Sequence, residues 1–231
     1  MTTTFITGAN KSLGYEAARR LIAAGHTVLV GARDVERGRA AADALGARFV
    51  QIDVTDDASV AAAAADVAAH EGTIDVLVNN AGVSGPHKPT DELTAADATA
   101  VFDVNVVGIV RVTHAFLPLL RTSANPVVVN VSSGMGSFEA THDAARVESS
   151  FAAPLYTSSK AAVTMLTTQY AKSLPGVKVN AVDPGYTATD FNGNSGPQTI
   201  TEGTDAIVEL ASIGSDGPTG QFRDRHGVVG W

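Results

Sequence analysis

Short apolar runs rich in β-branched residues alternate with alanine-rich stretches along the whole chain, and this alternation is the feature that most constrains the fold. The runs are apolar throughout rather than at every second residue, which is typical of parallel strands covered on both faces. The expected strands are Thr3–Thr7, Thr27–Gly31, Arg48–Ile52, Val76–Asn79, Val127–Ser132, Val177–Val182 and Gln221–Asp224. The expected helices are Leu13–Ala24, Val35–Leu45, Ala58–His70, Thr94–Leu120 (whole or broken), Leu155–Ser173 and Glu202–Ser212.

The β-α-β-α order predicts an α/β fold, a doubly wound parallel sheet with helices on both faces and right-handed crossovers. No linker or shift in composition divides the chain, so we expect a single domain over residues 1–231. Ligands of such sheets bind beyond the carboxyl ends of the strands. Two irregular segments, 134–154 and 185–203, are expected to cover that site.

Charge and cysteine content exclude several classes of function. The net charge of −8 argues against nucleic acid or an anionic membrane as a partner, since both need a basic face. The absence of cysteine excludes disulfides, thiol catalysis and thiolate metal sites, and no metal is predicted. The first residues lead directly into a strand, and we noted no uncharged apolar stretch near the roughly 20 residues of a membrane helix. We therefore expect a cytoplasmic enzyme or binding protein.

A glycine-containing turn follows the first strand. Thr7 to Gly14 reads T-G-A-N-K-S-L-G and opens a helix, the context in which such a turn binds a dinucleotide. Gly8 allows the tight turn, and Gly14 allows the helix to pack closely on the strand. The helix N-terminus then offers free N–H groups to a pyrophosphate. An ordinary strand-to-helix turn remains the alternative for this segment taken alone.

The end of the second strand bears on the choice of cofactor. An acidic residue there would accept from the ribose 2′-hydroxyl of NAD, but this chain has Ala32 and then Arg33. Arg33 can bind a 2′-phosphate through two nitrogens, and Lys11 in the glycine turn can add a second cation. These two cations favour NADP(H) over NAD(H). Asp53, after the third strand, is a candidate acceptor for the adenine amino group or the N-cap of the next helix.

Tyr156 and Lys160 are candidates for acid–base chemistry. Four residues apart on a helix, they point the same way. A nearby ammonium is expected to lower the pKa of the phenol, which suits proton transfer. Ser133 ends a buried strand at the same sheet edge, where its hydroxyl can hold a carbonyl oxygen. Asn105 lies in an apolar helical stretch and is either a satisfied core amide or the anchor of a water beside Lys160.

These segments together resemble the short-chain dehydrogenase/reductase family. The motifs T-G-x-x-x-x-x-G, N-N-A-G (Asn79–Gly82), a helix asparagine, S-S, Y-x-x-x-K and P-G occur in the family's order over nearly the whole chain. The Asn-Lys in the glycine turn, the Ala-Arg after the second strand and P-G-Y-T-A-T-D look most like the family's NADPH-dependent carbonyl reductases. The resemblance implies a Rossmann-type fold.

The resemblance also implies roles for named residues. Tyr156 is the general acid in reduction, Lys160 lowers its pKa, Ser133 polarises the substrate carbonyl and Asn105 holds a proton-relay water. The implied cofactor-binding residues are Gly8, Asn10, Lys11, Ser12, Leu13, Gly14, Arg33, Asp53, Val54, Asn79, Ala81, Gly82, Tyr156, Lys160, Pro184, Gly185, Thr187 and Thr189. Of the last two, Thr189 is preferred to Thr187 for the nicotinamide carboxamide.

Two departures from the family pattern stand out. Ser12 occupies the place of the family's middle glycine, and the gap between Ser133 and Tyr156 is about ten residues longer than in most members. Assigning Ser133 rather than Ser132 rests on Gly136 three residues later, as in the family's S-x-x-G.

The expected function is NADPH-dependent reduction of a ketone, aldehyde or quinone to an alcohol, with a small-molecule carbonyl substrate and a homo-oligomeric protein. A non-enzymatic NADP(H)-binding redox sensor that acts through a protein partner is the alternative, although it has no need of Ser133, Tyr156 and Lys160. A nucleotide-sugar epimerase or dehydratase shares Y-x-x-x-K but needs a larger substrate domain than the residues after Lys160 allow.

Overall fold

The computed structural model describes residues 2–231 and contains one eight-stranded sheet in the order β3-β2-β1-β4-β5-β6-β7-β8. The strands are β1 Thr3–Thr7, β2 Thr27–Ala32, β3 Arg48–Gln51, β4 Val76–Asn79, β5 Val127–Val131, β6 Lys178–Val182, β7 Phe222–Asp224 and β8 Gly227–Val228. Strands β1 to β7 pair in parallel, and β8 is antiparallel to β7. The predicted doubly wound α/β fold is confirmed, while β8 was missed because two residues carry no periodic signal.

The helices are α1 Ser12–Ala23, α2 Val35–Leu45, α3 Asp57–His70, α4 Ala95–Phe102, α5 Gly108–Leu120, α6 Phe138–His142, α7 Pro154–Ser173, α8 Ile200–Gly203 and α9 Asp205–Ala211. The break allowed within Thr94–Leu120 is a π-helical turn over Asp103–Val107. The single helix predicted over Glu202–Ser212 is wrong, since α8 ends at Gly203 and α9 begins at Asp205. Glycine at the end of α8 favours such an interruption.

Two hydrophobic layers enclose the sheet, as expected for strands without alternation. Ile6 and Val78 face one layer, whereas Phe5 and Leu77 face the other. Phe5 stacks on Phe116 of α5 with 4.5 Å between ring centroids, and both side chains are fully buried. Burying each such ring stabilises the fold by roughly 2–3 kcal/mol.

The sheet changes winding direction between β1 and β4. The chain passes outward through β2 and β3 and then returns to place β4 beside β1. Thr7 at the end of β1 bridges this switch point, because its Oγ1 accepts from the N–H groups of Asn80 (3.0 Å) and Ala81 (3.1 Å). Ligands of open α/β sheets bind at such a point.

The helical stretch Ala95–Leu120 is long and apolar enough to cross a membrane by length and composition alone. It is longer than the uncharged, alanine-rich parts of α3. Its residues Val112, Phe116 and Leu120 are buried in the core beside the sheet, as in the core helix of a globular domain. The homo-oligomer expected through Leu155–Ser173 stays a prediction.

Candidate active site

The glycine turn between β1 and α1 is built for close approach. Gly8 has φ +65°, and a β-carbon on it would lie 3.1 Å from the Cα of Ala81. Ser12 also has a positive φ, +53°, at the position where the family carries glycine. The turn therefore keeps the left-handed backbone of a glycine with a serine in place, and α1 begins at that residue.

Asn80 holds the turn in place and was missed by the sequence analysis. Its side-chain Nδ2 donates to the carbonyls of Thr7 (2.9 Å) and Gly8 (3.1 Å). Asn79, which we expected to line the cofactor, is instead buried in the core, where it donates to Asn130 Oδ1 at 2.8 Å. The reason is strand alternation, which turns Asn79 into the sheet and Asn80 toward the cleft.

The expected adenosine end is open to solvent. Arg33, after β2, is exposed and lines the cleft together with Arg37 from the first turns of α2. The carboxylate of Asp34 is used as the N-cap of α2, since it accepts from the N–H of Arg37. The end of β2 thus presents two arginines to the cleft, and the Asp34 carboxylate that also lines it is engaged as the N-cap.

Asp53 lines the same end of the cleft but does not cap α3. The N-cap is Asp56, which accepts from the N–H groups of Ala58 and Ser59. Asp53 instead accepts from the backbone and hydroxyl of Thr55. The capping alternative is therefore wrong, because α3 starts three residues later than that alternative requires.

Lys11 forms an ion pair that the sequence did not suggest. Its ammonium contacts Asp190 of the 185–203 segment, and Ser12 Oγ donates to the same carboxylate at 2.6 Å. Both contacts lower the pKa of Asp190, with the Lys11 hydrogen bond as the larger cause. The cover segment is thereby tied to the glycine turn across the cleft.

Tyr156 and Lys160 lie one turn apart on α7, as predicted. Lys160 is 5% exposed; its Nζ donates to the carbonyl of Val131 at 2.8 Å and lies 5.7 Å from the Tyr156 ring centroid. The Tyr156 side chain is partly exposed toward the cleft, where its ring lies 5.6 Å from that of Phe191. Both groups therefore border the same space.

The expected lowering of the phenol's pKa is not found in this structure. Burial raises the pKa of Tyr156 to about 12, although a hydrogen bond with Ser133 acts in the opposite direction. Burial also lowers the pKa of Lys160 to about 8, partly offset by the negative charge of Asp183. The physical reason is that burial disfavours the charged form of each group, while the Lys160 ammonium gives its hydrogen bond to the Val131 carbonyl.

The two serines after β5 have different surroundings. Ser132 Oγ is buried against α7, where it bonds the Lys160 carbonyl (3.1 Å) and Thr164 Oγ1 (2.9 Å). Ser133 Oγ accepts from the N–H of Met135 at 3.2 Å and faces Tyr156, where it acts to lower the pKa of the phenol. The hydroxyl available beside the phenol is therefore that of Ser133.

Asn105 sits inside the π-helical turn and is buried. Its Oδ1 accepts from the N–H of Val83, and its Nδ2 donates to the Val83 carbonyl and to Ser159 Oγ, all within 2.9 Å. Both side-chain N–H groups are thus used within the protein. The side chain is a satisfied core amide, and the proton-relay water stays a prediction.

Both predicted cover segments border the cleft. Asp183, Pro184, Gly185, Thr187 and Thr189 line it after β6, with the two threonine side chains buried. Thr187 Oγ1 donates to the Pro184 carbonyl at 2.8 Å.

Aromatic residues of the two segments meet over the cleft. Phe151 of one segment packs edge-on against Tyr186 of the other, with 5.5 Å between centroids. Phe138 of α6 is 69% exposed and does not line the cleft.

These features enclose one cleft of about 1290 Å³ at the carboxyl ends of the strands. The predicted residues that line it are Gly8, Asn10, Lys11, Ser12, Leu13, Gly14, Arg33, Asp53, Val54, Ala81, Gly82, Ser133, Tyr156, Lys160, Pro184, Gly185, Thr187 and Thr189. Asn79 and Asn105 do not line it. Among residues 2–231, no group of three or more histidine, aspartate or glutamate side chains could hold a metal ion.

Comparison with known proteins gives a consistent family. The model of the family described as short chain dehydrogenase matches residues 2–199. Short-chain dehydrogenase anuI of Penicillium roqueforti is 35% identical over 223 residues, covering 91% of this chain and 88% of the relative. Salutaridine reductase of Papaver bracteatum is 30% identical, with 95% and 93% covered. The NADPH-bound carbonyl reductase from chicken fatty liver superposes with a TM-score of 0.89 at 26% identity, covering 100% of this chain and 99% of that one. The chain therefore belongs to the short chain dehydrogenase family, whose members are oxidoreductases that use a nicotinamide cofactor.

Proposed function

We propose that this protein reduces the carbonyl of a ketone, aldehyde or quinone to an alcohol with NADPH, using Tyr156 as the general acid. One observation carries the proposal. A phenol, an amine and a hydroxyl (Tyr156, Lys160 and Ser133) border the same cleft as the glycine turn, at one edge of one sheet.

The cleft fits a dinucleotide. Gly82 lines the cleft close to Lys160. A β-carbon added to Gly82 would lie 3.6 Å from Lys160 Nζ and 3.3 Å from Asn105 Oδ1, so glycine keeps this end of the cleft open. The other end is the glycine turn, whose backbone N–H groups and helix N-terminus suit a pyrophosphate. Gly8, Ser12 and Leu13 would hold the phosphates, and Lys160 the nicotinamide ribose.

The charges at the far end support a phosphorylated cofactor. Arg33 and Arg37 line the cleft beyond β2, and an arginine fork matches a phosphate. Lys11 lines the same cleft but forms an ion pair with Asp190, so its charge is partly neutralised. NADPH is the cofactor bound in the chicken carbonyl reductase that this chain resembles.

The protonation state of the site suits a proton donor. With its pKa raised to about 12, Tyr156 keeps its proton at neutral pH, so the acid form that reduction needs is present before the substrate binds. Ser133, which lines the cleft beside the phenol, can donate to the same carbonyl oxygen and stabilise the negative charge that develops there. Lys160 then stabilises the phenolate left after transfer.

The nicotinamide, when bound, supplies the hydride. The protein's own contribution is to exclude water and orient the carbonyl. Phe151, Tyr186 and Phe191 present an apolar wall beside Tyr156, which favours a carbonyl on an apolar body.

The test compares Tyr156→Phe with a matched variant of the same helix. Tyr170→Phe removes an identical hydroxyl about four turns along α7, outside the cleft. NADPH oxidation is followed over a panel of ketones, aldehydes and quinones, together with NADPH binding. We expect Tyr156→Phe to retain NADPH binding and to lose roughly 100-fold or more in turnover, with Tyr170→Phe near wild type.

Normal turnover by Tyr156→Phe across the panel would remove the phenol from the acid role. A wild-type protein that binds NADPH but oxidises it with no carbonyl would favour the redox-sensor alternative.

A further inference from the structure

A buried carboxylate connects the two turns that flank the candidate active site. Asp183, at the end of β6, is 3% exposed and lines the cleft. Its Oδ1 accepts from the N–H of Gly185 at 2.9 Å, and the backbone N–H of Gly134 faces the carboxylate and acts to lower its pKa. Asp183 thus lies between the turn that follows Ser133 and the Pro184–Gly185 turn. Its Oδ2 has no hydrogen-bond partner among the described residues.

Arg146 faces that free oxygen. Arg146 Nη2 lies 3.8 Å from Asp183 Oδ2, and its guanidinium binds the two oxygens of Glu148 at 3.1 Å each. Both residues come from the 134–154 segment, the part of the chain that is longer than in most family members. Within the described chain, Arg146 is the one cation within 4.0 Å of Asp183.

The carboxylates of Glu148 and Asp183 both lie close to Gly134. A β-carbon on this glycine would lie 2.5 Å from Glu148 Oε1 and 2.7 Å from Asp183 Oδ2. Two buried acids this close need a cation between them. The charged or titratable groups that act on Asp183 are Arg146 and Glu148 from the segment, Tyr156 and Lys160 from α7, and Asp224 from β7; Arg223 of β7 pairs with Asp183 through its backbone.

The other two cations are committed elsewhere. Arg223 pairs with Glu209 at 3.0 Å, and Lys160 donates to the Val131 carbonyl. Arg146 is therefore the cation that neutralises the negative charge of Asp183.

We propose that Arg146 is a positioning residue of the active site, which neutralises Asp183 and keeps this carboxylate bound to the N–H of Gly185 and in place beside Gly134. Ser133 and the Pro184–Gly185 turn are then held beside Tyr156. The inference rests on the proposed role of Tyr156 as the acid, and it assigns a function to the lengthened segment.

The same charges act on proton transfer. Burial has the largest effect on each of these groups: it raises the pKa of Tyr156 and of Asp183 and lowers the pKa of Lys160. The negative charge of Asp183 in addition raises the pKa of both Tyr156 and Lys160. Arg146 offsets the field of Asp183. Without Arg146, ionisation of the phenol becomes harder, and the pH at which Tyr156 acts as a base in alcohol oxidation moves upward.

The experiment is a double-mutant cycle read through a pH profile. Arg146→Gln, Asp183→Asn and the double variant are compared in alcohol oxidation with NADP⁺, with Arg39→Gln as the control. Arg39 is an exposed arginine of α2 outside the cleft, so this control removes the same charge elsewhere. Thermal unfolding of each variant checks that it folds.

In alcohol oxidation kcat rises with pH as Tyr156 loses its proton, and this rise is the limb that we compare. We expect Arg146→Gln to move the midpoint of this limb up by about one pH unit and Asp183→Asn to move it down by about one. Adding Arg146→Gln to Asp183→Asn should produce little further shift, because Arg146 acts through Asp183. Arg146→Lys, which keeps the charge, should hold the limb near wild type.

An equal shift from Arg146→Gln in both backgrounds, or the same shift from Arg39→Gln, overturns the proposal. If Arg146→Gln does not fold, an unmoved or raised limb in Asp183→Asn overturns it as well. If the wild type turns over no carbonyl or alcohol, the proposed function fails, but the inference is still measurable. The near-ultraviolet titration of the phenol, wild type minus Tyr156→Phe, should show the same shifts without turnover.

Discussion

The substitution Gly14→Ala tests how tightly the glycine turn is built. Gly14 is buried in α1, and an added β-carbon would lie 2.5 Å from both Asn80 Nδ2 and the Gly8 carbonyl oxygen. Asn80 could turn away only by losing its hydrogen bonds to the Thr7 and Gly8 carbonyls. The Gly8 carbonyl is backbone and can move only with the turn.

The opposing contributions can be compared. Replacing glycine by alanine within a helix raises the free energy of unfolding by about 1 kcal/mol. Two lost hydrogen bonds cost about 1 kcal/mol each, and the backbone contact with Gly8 costs a further 1–3 kcal/mol or so. The free energy of unfolding should therefore fall by about 2–4 kcal/mol, and NADPH affinity should fall with it because the turn moves.

Urea unfolding of four proteins measures this: wild type, Gly14→Ala, Asn80→Ala and the double variant. In the Asn80→Ala background the Asn80 contact is already gone, so Gly14→Ala should cost less by about 1–2 kcal/mol. Ala23→Gly, at the exposed end of the same helix, measures the helix-propensity contribution alone. A Gly14→Ala protein as stable as wild type, or one whose cost is the same in both backgrounds, would refute the reasoning.

Three further predictions concern charged groups of the cleft. Because burial lowers the pKa of Lys160 from 10.5 to about 8, the unfolded chain binds more protons between those values. Lys160→Met should therefore be about 2 kcal/mol more stable than wild type at pH 7, once the lost bond to Val131 is counted. This advantage should shrink as the pH rises from 8 to 10.5, and urea unfolding that gives equal differences at pH 7 and 10 would contradict it. Asp190→Asn should free Lys11 and tighten NADPH binding about two- to five-fold in a fluorescence titration, since an exposed ion pair is worth up to about 1 kcal/mol; weaker binding would show that the pair supports the cofactor. Arg33→Asp should lower the NADPH/NADH ratio of kcat/KM by roughly ten-fold or more, and an unchanged ratio removes Arg33 from the 2′-phosphate role.

The elements of the fold were largely predictable because each is encoded locally. Seven strands were predicted within one or two residues of their observed ends, since a buried parallel strand is a continuous apolar run. The errors lie where local signals are weak. The two-residue β8 has no periodicity, and Gly203 alone is a weak signal for the division of Glu202–Ser212 into α8 and α9.

The site was predictable as a set of residues and less so as a set of contacts. The glycine turn, Arg33 and the Tyr156–Lys160 pair reach one cleft because parallel strands bring their carboxyl ends to one edge. Asn79 was misassigned to that cleft, since a doubled asparagine does not reveal which member faces inward.

The sequence by itself determined the layered fold, the family and the chemical groups at the edge of the sheet, because periodicity and motif spacing are properties of neighbouring residues. Only the tertiary structure decided the pairing of Lys11 with Asp190, the approach of Arg146 to Asp183 and the opposite pKa shifts of Tyr156 and Lys160. These depend on burial and on distances between groups far apart in the chain, and both arise only once the helices and covers have packed on the sheet.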